Sequence, residues 1–98
     1  MRRVEYHPFA LDELIQGAEY YEAQVEGLGE RFLDEIEAAI ADVSETPEKW
    51  PRFLLNTKRR LLNRFPYSVV YLVDSKGIFI LAIMHQRRRP EYLKKRLS

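Results

Sequence analysis

The hydrophobic period of this chain changes at its midpoint, so no single class of secondary structure can satisfy both halves. In the first half Leu11, Leu14, Ile15, Ala18, Tyr21 and Val25 follow the i, i+3, i+4, i+7 stripe of an amphipathic helix. Phe32, Leu33, Ile36, Ala39, Ile40 and Val43 repeat that period, and the intervening EGLG at residues 26–29 makes the two runs a helical hairpin. Two prolines in SETPEKWP, residues 44–51, close the second helix. In the second half Leu61, Phe65, Tyr67, Val69, Tyr71 and Val73 take odd positions, the repeat of a strand with one core face. DSKG at residues 74–77 is a tight turn, with Gly77 available for a positive φ. IFILAIMH at residues 78–85 is apolar on both faces and reads as a central strand paired with the preceding one.

Two shorter signals complete the outline. RRVEYH at residues 2–7 alternates as a first strand, and Pro8 suits the opening turn of the helix behind it. RFLLN at residues 52–56 adds a further strand. The expected fold is α+β in the order β-α-α-β-β-β. A helical hairpin covers one face of a small, twisted, mostly antiparallel sheet, and a basic tail leaves the end of its longest strand. With 98 residues there is room for a single domain, residues 1–98.

No apolar run reaches the roughly 18 residues of a membrane span, and the two opening arginines precede no apolar signal-peptide core. A cytoplasmic protein is expected. The chain has no cysteine and only His7 and His85, so neither a thiolate metal site, a cysteine nucleophile nor any other metal or cofactor is implied. Charge is partitioned: residues 1–48 hold 13 acids and 3 bases, residues 49–98 hold 2 acids and 13 bases. The net charge of +1 therefore conceals halves of −10 and +11. Either the basic half meets an anionic partner, nucleic acid or acidic protein, or the two halves face each other. Six cations, Arg87, Arg88, Arg89, Lys94, Lys95 and Arg96, fall in the last fourteen positions.

Five segments carry a resemblance. They are AEYYE in the first helix, LGERFLDEI opening the second, P and WP in the linker, RRLLNRFPYSVVYLV in the middle strands, and HQRRRPEYLKKR at residues 85–96. The most specific part is RFPY with VVY, followed by H-x-R-R-x-P-x-Y. Together they resemble, over nearly the whole chain, the RelE/ParE toxins of bacterial type II toxin–antitoxin modules, also named plasmid-stabilisation proteins. The resemblance implies a growth-arresting toxin silenced by a cognate antitoxin. It implies one of two targets: the ribosome, where RelE-like members cut mRNA, or DNA gyrase, on which ParE-like members act without that cleavage set. The arginine that RelE-like members hold just ahead of the V-Y pair is Ser68 here. Of their two lysines on the preceding strand, one position matches Arg59 and the other falls on Leu61. Their tail arginine matches Arg87, and their tail tyrosine matches Tyr92 only after a slip of one place. A ParE-like gyrase poison is therefore the leading expectation, an mRNA endoribonuclease the alternative, and a non-catalytic nucleic-acid-binding module the third.

Cleaving RNA by 2′-hydroxyl attack needs a base, a clamp for phosphate charge and an acid. Arginine is a poor base but a good bidentate clamp, which makes Arg59, Arg60, Arg64, Arg87, Arg88 and Arg89 candidate target-binding or nucleic-acid-binding residues. A nuclease would use His85, the only near-neutral acid or base in the basic half, with Arg87 and Tyr92. Tyr92 either stacks on a base or packs the tail against the sheet. At 100° per residue Phe9 and Tyr20 project away from the Leu11, Leu14 and Ala18 stripe, so they are candidate antitoxin contacts. No paired-carboxylate site or glycine-rich phosphate loop is present.

Overall fold

His7 and Pro8 turn the chain from its first strand into its first helix. The computed structural model describes residues 2–98. Strand β1 (Arg3–Tyr6) directs Val4 and Tyr6 inward and leaves Arg3 and Glu5 exposed. His7 caps helix α1 (Pro8–Gln24), its Nδ1 accepting the Phe9 N–H at 3.1 Å, and Pro8 fills the first helical position. Helix α2 (Leu28–Glu45) follows a turn in which the Glu22 carboxylate accepts the N–H groups of Gly27 and Gly29. Three strands come next: β2 (Lys58–Leu61), β3 (Tyr67–Asp74) and β4 (Gly77–His85). A 3-10 turn, Pro90–Tyr92, runs into the short helix α3 (Leu93–Leu97).

The sheet order is β1-β4-β3-β2, with β1 parallel to β4 and the other pairs antiparallel. The β3–β4 turn forms as expected: Asp74 accepts from Lys76 N and Gly77 N, and Gly77 takes φ 135°. One core joins α1 and α2 to the inner sheet face, through Phe32, Ile36, Val43, Val69, Tyr71, Ile80 and Ile83 among others. The buried Tyr71 hydroxyl donates to the Pro47 carbonyl and ties the linker to the sheet.

Several expectations are corrected. Residues 52–56 form a turn rather than a strand. Leu55 has φ 53°, Thr57 hydrogen-bonds back to Leu54, and only Arg52 bridges Lys58; the extra strand is Lys58–Leu61. The odd-numbered run is broken by the loop at residues 62–66. Leu62 and Phe65 enter the core, while Leu61 lies opposite Ser68 with 45% of its surface exposed. On α1 Ala10 and Gly17 are buried and Leu14, Ala18 and Tyr21 of the expected stripe pack against the core, whereas Leu11, Ile15 and the C-cap Val25 remain exposed. The reason is close approach. A Cβ at Gly17 would sit 2.8 Å from the Phe32 ring, so α1 brings Gly17 close to α2, keeps Leu14, Ala18 and Tyr21 against the core, and leaves Leu11 and Ile15 exposed.

The tail leaves the end of β4, the longest strand, as expected, and then folds back over the second sheet face. There Leu93 is fully buried with Val70, Leu81, Ala82 and Met84, and Tyr92, Leu97, Phe53 and Leu54 pack around them. Apolar residues at 93 and 97 give the tail its own core side, four positions apart.

Candidate functional site

Glu13 joins the acidic half of the chain to the basic half. It is the one acid on the inward flank of α1, and its side chain is 13% exposed. Its carboxylate accepts from Ile83 N at 3.1 Å, from both terminal nitrogens of Arg96 at 2.9 Å, and from Arg88 Nη1 at 3.3 Å. Arg96, 8% exposed, also donates to the Leu81 carbonyl at 3.1 Å. The geometry follows from strand lengths. β1 stops opposite Ile80, so beyond that point the β4 edge has no partner strand, and Glu13 with Arg96 occupies its free N–H and C=O groups. Of the six clustered cations, Arg96 therefore holds the tail in place.

A β-bulge decides where His85 points. Tyr71 pairs with Ile80 and Val70 with Ala82, leaving Leu81 as the extra residue. Ile78 and Ile80 face the helices before the bulge, Ile83 after it. The inserted residue thus reverses the parity of the strand and turns His85 to the helix side. There it stands edge-on to Tyr67, ring centroids 5.1 Å apart, and its Nδ1 accepts the Arg87 N–H at 3.1 Å. Glu13, Gln16, Gly17, Tyr20, Tyr67, Ile83, His85 and Arg88 together line a cleft of 270 Å³.

The candidate residues separate into three groups. Arg60 is structural: its Nε and Nη2 hold Asp42 of α2 at 3.2 and 2.7 Å, and it stacks on Trp50. Tyr92 is packed under the tail. Burial, and then the neighbouring Glu13 carboxylate, push its phenol up to about 12, against the pull of Arg88 and Arg96. Arg88 crosses the Tyr92 ring at 3.5 Å. The second group is solvent-facing. Arg87 and Arg89 are exposed in the turn after β4 and Arg64 in the loop before β3, while Arg59 is half-buried, lying over Phe53 on the second sheet face. The third group borders the cleft: His85 and Arg88 from the tail side, Tyr20 from α1. Phe9 and Tyr20 are exposed, as expected, at 57% and 58%, and the Arg96 guanidinium lies 5.4 Å from the Phe9 ring. His85, Arg87 and Tyr92 do not converge on one point: His85 faces the helix side, the Tyr92 hydroxyl is buried, and Arg87 faces solvent.

Sequence reasoning missed Glu13, Gln16 and Tyr67 as neighbours of the tail. A signal for Glu13 was present. At 100° per residue it projects between Ala10 and Phe9, on the edge of the buried arc rather than among the outer acids.

Comparison with known proteins places the chain. A family model described as ParE toxin of type II toxin-antitoxin system, parDE, matches residues 4–90. No curated protein sequence matches. Among solved structures, the isolated RelE toxin of E. coli is similar with a TM-score of 0.65 and 18% identity, all of both chains being covered. The chromosomal ParDE system of P. aeruginosa gives a TM-score of 0.62 at 21% identity, over 87% of this chain and 96% of that one. The YoeB-YefM complex of Staphylococcus aureus gives 0.56 at 17% identity, over 86% and 95%. At these identities the structures establish the fold.

Proposed function

This chain belongs to the ParE toxin family of type II toxin–antitoxin systems, and on that premise we propose that it arrests growth by acting on DNA gyrase and is neutralised by a cognate antitoxin. A gyrase target implies action in the cytoplasm. The observation that carries the choice of target is Ser68. It is fully buried on the sheet face that α3 covers, and its hydroxyl donates to the Met84 carbonyl at 3.4 Å. Serine carries no positive charge with which to clamp a phosphate.

The chemistry of the remaining residues supports the same reading. A general base must accept a proton, and His85 already uses Nδ1 to accept the Arg87 amide, so its neutral form carries hydrogen on Nε2. The Tyr92 hydroxyl is buried, and its raised pKa keeps it protonated near neutrality. Arg87 and Arg89 remain free to contact a protein target, and such contact needs no proton-transfer machinery.

Controlled expression in a bacterial host tests the reading, with growth, gyrase-dependent DNA breaks and mRNA cut sites scored in the same cultures. Growth arrest with gyrase-dependent breaks, relieved by co-expression of the neighbouring reading frame, is expected. Arrest with codon-linked mRNA cuts and intact DNA would assign the ribosome instead.

A further inference from the structure

The cleft between α1 and the tail presents donors, and its one acid is already saturated. Glu13 accepts four hydrogen bonds, from Ile83 N, from Arg96 twice and from Arg88. The polar groups left to meet a ligand are Arg88, His85, Gln16, Tyr20 and Tyr67. Arg88 has five N–H donors, of which Glu13 takes one on Nη1. Its guanidinium is ordered in advance by stacking on Tyr92, and its side chain is still 52% exposed. His85 offers Nε2–H, because Nδ1 is an acceptor for the Arg87 amide. Burial, and the neighbouring Tyr20 and Glu13, raise the Tyr67 pKa, so its hydroxyl stays protonated and can donate.

We propose that this cleft is a receptor for a single carboxylate, an Asp or Glu side chain carried on an otherwise apolar segment of the protein that neutralises the toxin. The identity of that protein as an antitoxin rests on the function proposed above; recognition of the carboxylate rests on the cleft alone. Charge decides between protein and nucleic acid as the source of the anion. α1, which forms one wall, carries Asp12, Glu13, Glu19 and Glu22 and no Lys or Arg. Asp12 and Glu19 project within about 60° of Gln16 on that wall, so a phosphate backbone, charged at every nucleotide, would set further phosphates beside acids, whereas one carboxylate on an apolar segment brings a single charge to the Arg88 fork. Phe9 and Tyr20 supply the apolar contact. With Glu13 and Gln16 they project within about 60° of one another on α1.

The experiment is an NMR titration of the labelled full chain with acetyl-Leu-Glu-Leu-amide and its Gln counterpart, and separately with inorganic phosphate and a short single-stranded RNA. Arg88 Hε, the His85 ring and the Tyr67 amide should move with the Glu peptide. The Gln peptide should bind roughly tenfold more weakly, the difference between a charged and a neutral acceptor. Arg88→Gln should abolish that preference while the amide spectrum elsewhere shows the fold intact. Equal binding of the two peptides, an unchanged preference in Arg88→Gln, or tighter binding of phosphate or RNA at these residues would overturn the proposal. A carboxylate preference in a chain that does not arrest growth would leave the cleft standing and remove the toxin reading. Arrest without the preference would do the reverse.

Discussion

Glu13 and Arg96, 83 positions apart in the chain, meet as a two-point fork with both N···O distances at 2.9 Å. The contact joins the acidic half of the molecule to the basic half across the free edge of β4. It bears out in part the reading in which the two halves face each other: Arg96 and Arg60 pair with acids of the first half, while Arg87, Arg89, Lys94 and Lys95 remain exposed.

Breaking this pair on one side should cost more than deleting it. Arg96 is 8% exposed, so Glu13→Gln strands a charge in a poorly solvated site, at a cost of about 3–5 kcal/mol. Replacing both, as Glu13→Leu with Arg96→Met, should recover more than half of that loss. Urea unfolding of the parent and the two variants measures it. A single-variant loss below about 1 kcal/mol would mean that the pair behaves as an exposed surface bridge.

Gly17→Ala sets two effects against each other. Alanine gains about 1 kcal/mol of helix propensity, but its Cβ lands 2.8 Å and 2.9 Å from two atoms of the Phe32 ring. That ring is fully buried and stands against Tyr21, Phe65 and Tyr67, so it has nowhere to move. Overpacking typically costs about 1–3 kcal/mol, so a net loss of about 1 kcal/mol is expected. A thermal midpoint at or above that of the parent would show that the helices can separate freely.

The elements of the fold were legible because each has its own period and turn chemistry: Pro8 at a helix start, Asp74 and Gly77 in a tight turn. The position of α1 against its neighbours was not. Periodicity puts Leu11 and Ile15 on its core side with Leu14, Ala18 and Tyr21; the close approach at Gly17 shifts the buried arc, so that only the latter three stay against the core. The site was harder still. A bulge at Leu81 leaves no mark in an apolar strand, yet it decides which way His85 faces. The tail was read from its cations, whereas Leu93 and Leu97, which hold it to the sheet, are two residues among many similar ones. The exposed aromatics Phe9 and Tyr20 were found because polarity outside a helical stripe is the rule and they break it.

His7 gives the fold a pH dependence of defined sign. The cap on α1 requires a neutral Nδ1, and burial first, then the charge of Arg96, hold the His7 pKa below 6.5 despite Glu13. As pH falls the unfolded chain takes up this proton before the folded one does. The contribution of the cap is therefore complete above about pH 6.5 and is lost as pH drops through the folded value. His7→Asp should remove this slope between about pH 7 and 5, since its carboxylate stays ionised there and still faces the helix N-terminus. Thermal midpoints of parent and variant across that range decide it; parallel curves would remove His7 as the source.

The exposed cations of the tail should be separable from the ones that hold it. Arg87→Glu with Arg89→Glu reverses two exposed charges that form no ion pair among the described residues, so stability should change by no more than about 1 kcal/mol. Arg88 is left alone, because a glutamate there would face Glu13. If the tail contacts the target, the double variant loses growth arrest while its unfolding curve stays close to the parent. His85→Ala then tests the kind of target. A nuclease that used this imidazole as acid or base would lose roughly 10²–10⁴-fold in rate. A gyrase poison acting by contact keeps most of its toxicity, and that is the expected result. Loss of arrest together with loss of codon-linked mRNA cuts in His85→Ala, at unchanged stability, would show that the chain is a nuclease working from the cleft beside Tyr67.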